Sequence, residues 1–365
     1  MFFCPTRIVF GNNAVQRAAG FIPALGNKAL IVTGKKSAQL CGALSDITNM
    51  LSSLGIAYAT FAEVKENPEL QCIMQGKDML LDTASDFVIG IGGGSPIDAA
   101  KAISLAAANS LNISQLYQTE LFRDAYPIIA VPTTAGTGTE ATQYSVLSDP
   151  GTNKKAGFGH PKAFPTLSIL DPRYTYSLPQ SVTLHTALDA LSHLLEGIYS
   201  NQRSQVVKPF IHKGISNIIK HLPLVLQQPD NPSSRNELML ASLYGGMVIA
   251  QGSTTLQHSI GYPLTATFGV PHGLANALVM QEIMLLYLPA VKAELEELFD
   301  AIHLSMDEFF MWLHKLPYNS TIEYDDKFIE ASIPQIMNSR NMALNPVTVT
   351  EADVYRILDS IRSKK

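Results

Sequence analysis

The chain has 365 residues, 46% of them hydrophobic and 16% charged, which allows a sizeable core and excludes a disordered composition. Its formal net charge is -5 and no lysine or arginine cluster stands out, so nucleic acid is not an expected partner. Three cysteines, Cys4, Cys41 and Cys72, lie far apart with no CxxC spacing, so neither a disulfide framework nor a thiolate metal site is indicated.

The opening stretch "MFFCPTRIVFG" has no basic region followed by a long apolar one, and no apolar run approaches the roughly 18 residues of a membrane span. A cytoplasmic protein without a membrane partner is expected. "KALIVTG" (28–34), "DFVIGIG" (86–92) and "YPIIAVP" (126–132) are short apolar runs bounded by Gly or Pro, and they predict buried strands. "SAQLCGALSDITNMLSSLG" and "PIDAAKAISLAAANS", which alternate with them, predict helices. That alternation implies crossover units and a doubly wound, mostly parallel sheet in an α/β N-terminal domain. From about Ser181 the β-rich runs stop. The helical stretches "SVTLHTALDALSHLLEGIYS", "ELMLASLYGGMVIAQ", "GLANALVMQEIMLLYL" and "AVKAELEELFDAIH" follow. The shift near "YSLPQS" sets the expected domains: 1–180, α/β, and 181–365, all-helical, the first expected to bind a dinucleotide and the second a metal on the motifs that follow.

Two loops in the first half carry the chemistry. "GGGSPIDAAK" joins a predicted strand to a predicted helix, and its backbone N–H groups at the positive end of a helix make an anion site. Pro96 fits the first helical position, Ser95 the cap, and Asp98 something like a capping box, so Ser95 and Asp98 also have a purely structural reading. Gly92, Gly93 and Gly94 are more glycines than a turn needs. The spacing is neither GxGxxG nor that of a Walker loop. "VPTTAGTGTEAT" (131–142) follows another predicted strand and gathers Thr133, Thr134, Thr137 and Thr139 around Gly136 and Gly138. Two such loops at the carboxyl edge of one sheet point to a dinucleotide pyrophosphate.

In "TALDALSHLLEG", Asp189, His193 and Glu196 share one helix face, which alone reads as a solvated stripe opposite a leucine core. His258 in "TTLQHSIGYPL", on a helix that should end at Pro263, and His272 in "GVPHGLANA", just after Pro271, change that balance. One carboxylate and three imidazoles suit Fe(II), Zn(II) or another first-row divalent ion, although sequence separation alone does not show convergence. The other six histidines, His160, His185, His212, His221, His303 and His314, have no partner at ligand spacing and read as structural or surface residues.

These motifs, together with "LDPRYTYSLP", "GYPLTATFGVPHGLANAL" and "NPVTVTEADV", closely resemble the iron-containing (group III) alcohol dehydrogenases over nearly the whole chain. The wording is most similar to the 1,3-propanediol and butanol dehydrogenase-like branch; residues 290–340 match least. The resemblance implies catalysis in a cleft between the two domains and metal ligands Asp189, His193, His258 and His272. It places the 92–95 turn, the Thr133/Thr134 loop, Asn67 and Lys155 at the cofactor. It implies a small primary alcohol, diol or aldehyde as substrate, and a homodimer is the assembly considered. Two departures stand out. Tyr262 occupies a position where many members have a histidine, so a pocket role is expected of it and a proton relay is not. Gly34 stands where NAD-preferring members have a ribose-binding aspartate, with Lys35 and Lys36 next, which favours NADP(H) over NAD(H). The rivals are a glycerol dehydrogenase-like or dehydroquinate synthase-like enzyme of the same fold, and a catalytically silent dinucleotide-binding redox sensor.

Overall fold

The computed structural model describes residues 2–149, 151 and 154–363, without the side chains of Lys154 and Lys155. Among these residues the strands are β1 (Arg7–Phe10), β2 (Lys28–Thr33), β3 (Ala57–Phe61), β4 (Phe87–Gly92), β5 (Ile128–Pro132), β6 (Tyr144–Asp149), β7 (Lys154–Gly159) and β8 (Leu167–Leu170). Six form a sheet in the order β1-β8-β5-β4-β2-β3 with every pairing parallel; β6 and β7 form a separate antiparallel hairpin. The sheet is doubly wound as expected. Its direction of winding reverses between β2 and β4, so a crevice opens there at the carboxyl ends of the strands. The turns that follow β2 and β4 are those at Gly34 and at Gly92–Ser95.

The central strands are apolar on both faces because both faces are covered. Leu30, Val32 and Val88 belong to one buried cluster, and Ala29, Ile31, Ile89 and Ile91 to the other. Helices α1 (Ala43–Ser53), α2 (Leu70–Asp82) and α3 (Gly94–Ala108) supply the covering layers. The stretch 37–55, expected as one helix, breaks instead at Gly42, whose φ of 85° ends a short turn over Ser37–Leu40.

After residue 175 the described structure is almost entirely helical. The elements that build the site are α4 (Gln180–Tyr199), α5 (Lys208–Gln227), α6 (Pro232–Gly252), α7 (Leu256–Phe268), α8 (His272–Leu278) and α9 (Met280–Ile302). They share one large hydrophobic cluster running from Leu184 on α4 through Ile215 and Val248 to Tyr287 on α9. Two expectations change here. Helix α7 continues through Pro263 to Phe268 and does not end at the proline; Leu264, just past it, still packs onto this core. The stretch 273–288 is not one helix: α8 and α9 meet at a 55° bend. No single helix among the described residues is long and apolar enough to cross a membrane.

Candidate active site

A cleft of about 620 Å3 runs from the β2/β4 crevice to the face of α4, α7 and α8. Its outer part is lined by Gly34, Asn67, Gly93, Gly94, Ser95, Thr134 and Thr137, its inner part by Asp189, His193, His258, Tyr262 and His272. The two groups of residues singled out in the sequence therefore meet in one cavity.

The glycine turn is built differently from its expected form. Gly92 has φ +152°, and a methyl group there would sit 2.6 Å from Pro96 Cγ, so this glycine serves the turn itself. Helix α3 begins at Gly94 with Gly93 as its cap, which makes neither Ser95 a cap nor Asp98 part of a capping box. Ser95 Oγ instead accepts the Asn67 N–H at 3.2 Å, tying the β3–α2 loop to the turn. Asp98 accepts the Thr139 hydroxyl at 2.6 Å and the Val146 N–H at 2.9 Å, and so fastens the threonine loop and the β6 hairpin to α3. Thr133 is buried and does not line the cleft; its N–H donates to the Gly92 carbonyl at 2.8 Å. Lys35 and Lys36 also lie outside the cleft lining, and Lys35 pairs with Glu63 at 3.4 Å in an exposed salt bridge worth little. Lys155 is the second residue of β7, but its side chain lies outside what the structure describes.

Lys101, the last residue of "GGGSPIDAAK", was not singled out and is fully buried. Its ammonium donates to the carbonyls of Thr139 (2.7 Å), Thr142 (3.0 Å) and Tyr144 (2.8 Å) and to the Thr139 hydroxyl (2.7 Å). Burial lowers its pKa to about 8, against the opposing pull of Asp98 and Glu140. On the same loop, burial raises Glu140 to about 7.

At the inner end, α4 presents Asp189, His193 and Glu196 along a face that is buried, not solvated. Helix α7 brings His258 in on its first turn and α8 starts at His272. A methyl group at Gly273 would sit 1.9 Å from the His185 carbonyl, so glycine there lets α8 press against α4. The Nε2 atoms of His193, His258 and His272 lie 3.8, 3.7 and 3.8 Å from the same Asp189 oxygen, Oδ1. Donor atoms bound at about 2.1 Å to one ion stand about 3 to 4 Å apart, so this spacing fits a shared metal. The tightest group is Asp189, His258 and His272, whose donor atoms lie within 4.8 Å of one another. His193 stands slightly outside it, its ring stacked on His258 at 4.9 Å. Burial works against ionisation of Asp189, but His193, His272 and His258 outweigh it and hold the carboxyl far below its usual range.

Glu196, noted in the sequence only as sharing a helix face, is fully buried and accepts from His258 Nδ1, the Thr255 N–H (2.6 Å) and the Thr255 hydroxyl (3.0 Å). With Nδ1–H committed to Glu196, His258 turns its Nε2 toward the cluster, where it could ligate an ion once deprotonated. His185, read from the sequence as structural or on the surface, lines the cleft one turn before Asp189. Tyr262 stacks on His272 with centroids 5.4 Å apart and planes 8° apart, and burial pushes its phenol up to about 12.

A parallel sheet with its crevice at the switch point thus shares one cleft with a buried carboxylate–imidazole cluster of metal-ligand spacing, an architecture suited to a dinucleotide and a metal ion. The family pattern for iron-containing alcohol dehydrogenase matches residues 5–172, and the pattern for the C-terminal part of the Fe-containing alcohol dehydrogenase family matches residues 183–315. An iron-containing alcohol dehydrogenase of Thermotoga maritima superimposes with TM-score 0.91 at 33% identity, covering 99% of both chains. A 1,3-propanediol oxidoreductase does so with TM-score 0.91 at 26% identity, covering 99% of both. The NAD-dependent methanol dehydrogenase of Bacillus methanolicus is 28% identical over 77% of this chain and 74% of its own. The chain belongs to the iron-containing alcohol dehydrogenase family and is an oxidoreductase acting on alcohols.

Proposed function

We propose that the chain interconverts a small primary alcohol or diol and its aldehyde, with NADP(H) favoured over NAD(H) and Fe(II) or Zn(II) as the resident ion. The observation that carries the reading is the placement of three imidazole Nε2 atoms around one carboxylate oxygen at the inner end of the crevice. Oxygen and nitrogen donors without thiolate suit such ions. Asp189, His193, His258 and His272 would hold it. A bound ion would supply Lewis acidity toward a substrate oxygen, and the nicotinamide would supply or accept the hydride.

The chain's own residues do the rest. Gly93, Gly94 and Ser95 leave backbone N–H groups bare at the start of α3, where a pyrophosphate is held by hydrogen bonds and the helix dipole. Asn67, Thr134 and Thr137 close around the same end of the cleft. Asp98 and Lys101 fasten the threonine loop against α3, so its hydroxyls and N–H groups are in place before the cofactor arrives. Glu196 keeps a proton on His258 Nδ1. Tyr262 walls the pocket beside His272. The NADP(H) preference is supported by Gly34, which offers no carboxylate to a ribose 2′-hydroxyl at the cleft edge. The domain division at 180/181 belongs to the same proposal and is supported by the gap between the last sheet strand, ending at Leu170, and α4, starting at Gln180.

A silent redox sensor has no use for a complete ligand set. A dehydroquinate synthase-like enzyme calls for a basic cluster around the ligands, and the cleft lining holds Lys65 and Arg340 as its only lysine and arginine among the described residues. Absorbance at 340 nm with NADPH or NADH and a short aldehyde, with and without added Fe(II), tests the reading. Oxidation of the nicotinamide that depends on the ion supports it. No oxidation with either cofactor under any metal loading refutes it.

A further inference from the structure

Asn276 lies one turn after His272 on α8, is fully buried, and has no part in the ligand set above. Its side-chain Nδ2 lies 3.2 Å from Asp189 Oδ1, 3.1 Å from His258 Nε2 and 3.5 Å from His272 Nε2. One amide nitrogen thus touches a donor atom on each of the three helices that build the cluster. The backbone is fixed as well: the Asn276 carbonyl accepts Gln257 Nε2 at 2.9 Å, and the same nitrogen reaches Ser192 Oγ at 3.1 Å, which ties α8, α7 and α4 together one layer behind the ligands.

The other half of the amide shows which way it must face. Asn276 Oδ1 is buried with no hydrogen-bond partner among the described residues. It rests against Gly261, where a methyl group would sit 2.1 Å from it. Turning the amide over would aim that oxygen at the Asp189 carboxylate, so charge repulsion holds the present orientation. Glycine at 261, three residues after His258, leaves the room this orientation needs.

We propose that Asn276 is a positioning residue of the metal centre, its amide gathering Asp189, His258 and His272 into register. One N–H donates to Asp189 Oδ1. The same nitrogen lies 3.1 Å from His258 Nε2, whose opposite nitrogen is committed to Glu196. Glu196 and Asn276 therefore flank that imidazole on its two sides and fix its direction. A bound ion would be held by the histidine nitrogens, and the amide's bond to Asp189 would still orient the carboxylate. Partners of this kind to metal ligands typically govern metal affinity as well as order.

The proposal rests on the reading of the cluster as a metal centre, and Co(II) serves as a probe that separates the two. Wild type, Asn276→Leu and Asn276→Asp are stripped of metal. Their Co(II) affinity is measured against a competing chelator, with the visible d–d spectrum and the melting temperature before and after loading. Asn276→Leu keeps the volume and removes the donor: Co(II) affinity falls about 10- to 100-fold and the d–d bands shift. Asn276→Asp sets a second carboxylate against Asp189: the metal-free protein melts lower, Co(II) binds more tightly, and the rise in melting temperature on loading exceeds that of wild type. If both variants lose the same melting temperature with and without Co(II), with affinity and spectrum unchanged, Asn276 is packing alone and the proposal is overturned. If Asn276→Leu does not fold, Asn276→Asp decides through the same two readouts. Failure of wild type itself to bind Co(II) overturns the metal-centre reading and this proposal with it.

Discussion

Lys101→Met removes the ammonium that braces the threonine loop while keeping most of the volume of the stem. Three backbone carbonyls, those of Thr139, Thr142 and Tyr144, lose their donor in a buried site. Each unsatisfied carbonyl costs about 1 to 3 kcal/mol, so the gross loss is about 3 to 9 kcal/mol. Burying the ammonium is itself unfavourable: a pKa of about 8, down from the ordinary 10.5, corresponds to roughly 3 kcal/mol that the methionine recovers. The net expectation is a loss of about 3 kcal/mol, within the range for breaking a buried charged network. Urea unfolding at pH 7 reads this as a lower midpoint. Because the same loop carries Thr134 and Thr137, which line the cofactor end of the cleft, the KM for the nicotinamide cofactor should rise more than kcat falls. A methionine variant that matches wild type in both midpoint and cofactor KM refutes the bracing role.

Tyr262→Phe should keep most of the kcat and its pH profile, because the ring stacked on His272 is retained; Tyr262→Ala should broaden the range of alcohols accepted. A loss of two or more orders of magnitude in the Phe variant across the pH range would make the hydroxyl chemical. Gly34→Asp should move the cofactor preference toward NAD(H), about tenfold for each 1.4 kcal/mol of repulsion of a 2′-phosphate. Its Cβ would sit 3.2 Å from the Val64 carbonyl, so a small loop shift accompanies it, and an unchanged ratio of kcat/KM values would place Gly34 away from the ribose. Glu140, held at about 7 by burial, keeps its proton in the folded chain where the unfolded chain has lost it. Stability should therefore fall by about 3 kcal/mol as pH rises from about 4.5 to about 7, and Glu140→Gln should flatten that slope. Equal slopes in unfolding free energy against pH for the two proteins would contradict the assignment.

How much of this was legible in the sequence depends on whether an element announces itself locally. β2 and β4 did, since strands covered on both faces read as unbroken apolar runs. β1 "RIVF" and β3 "AYATF" did not: both are short edge strands with half-exposed side chains. The breaks at Gly42 and between α8 and α9 are invisible to composition, because apolar periodicity continues across them and only tertiary packing decides the bend. The metal ligands were half legible. Asp189 and His193 share a helix face by spacing, but His258 and His272 come from other helices, and their convergence was carried by resemblance alone. Glu196 stood on the right face with its partners, Thr255 and His258, some sixty positions away. Lys101 drew no reading from the sequence, because nothing in "AAKAI" shows that five oxygen atoms of a later loop surround it. Ser95 and Asp98 fitted a capping box by spacing, yet the helix begins two residues earlier than that spacing implies and both side chains are claimed by other loops.

The central claim is that Asp189, His193, His258 and His272 hold the ion on which turnover depends. His272→Ala tests it most directly, since the side chain sits at the start of α8 and faces the cleft, so its loss leaves the hydrophobic core intact. Metal content by elemental analysis is measured alongside NAD(P)H-linked turnover and the unfolding midpoint. The account predicts near-stoichiometric metal in wild type, loss of both metal and turnover in His272→Ala, and a largely preserved fold. Wild-type metal occupancy in the variant, or full turnover in the absence of metal, would contradict it.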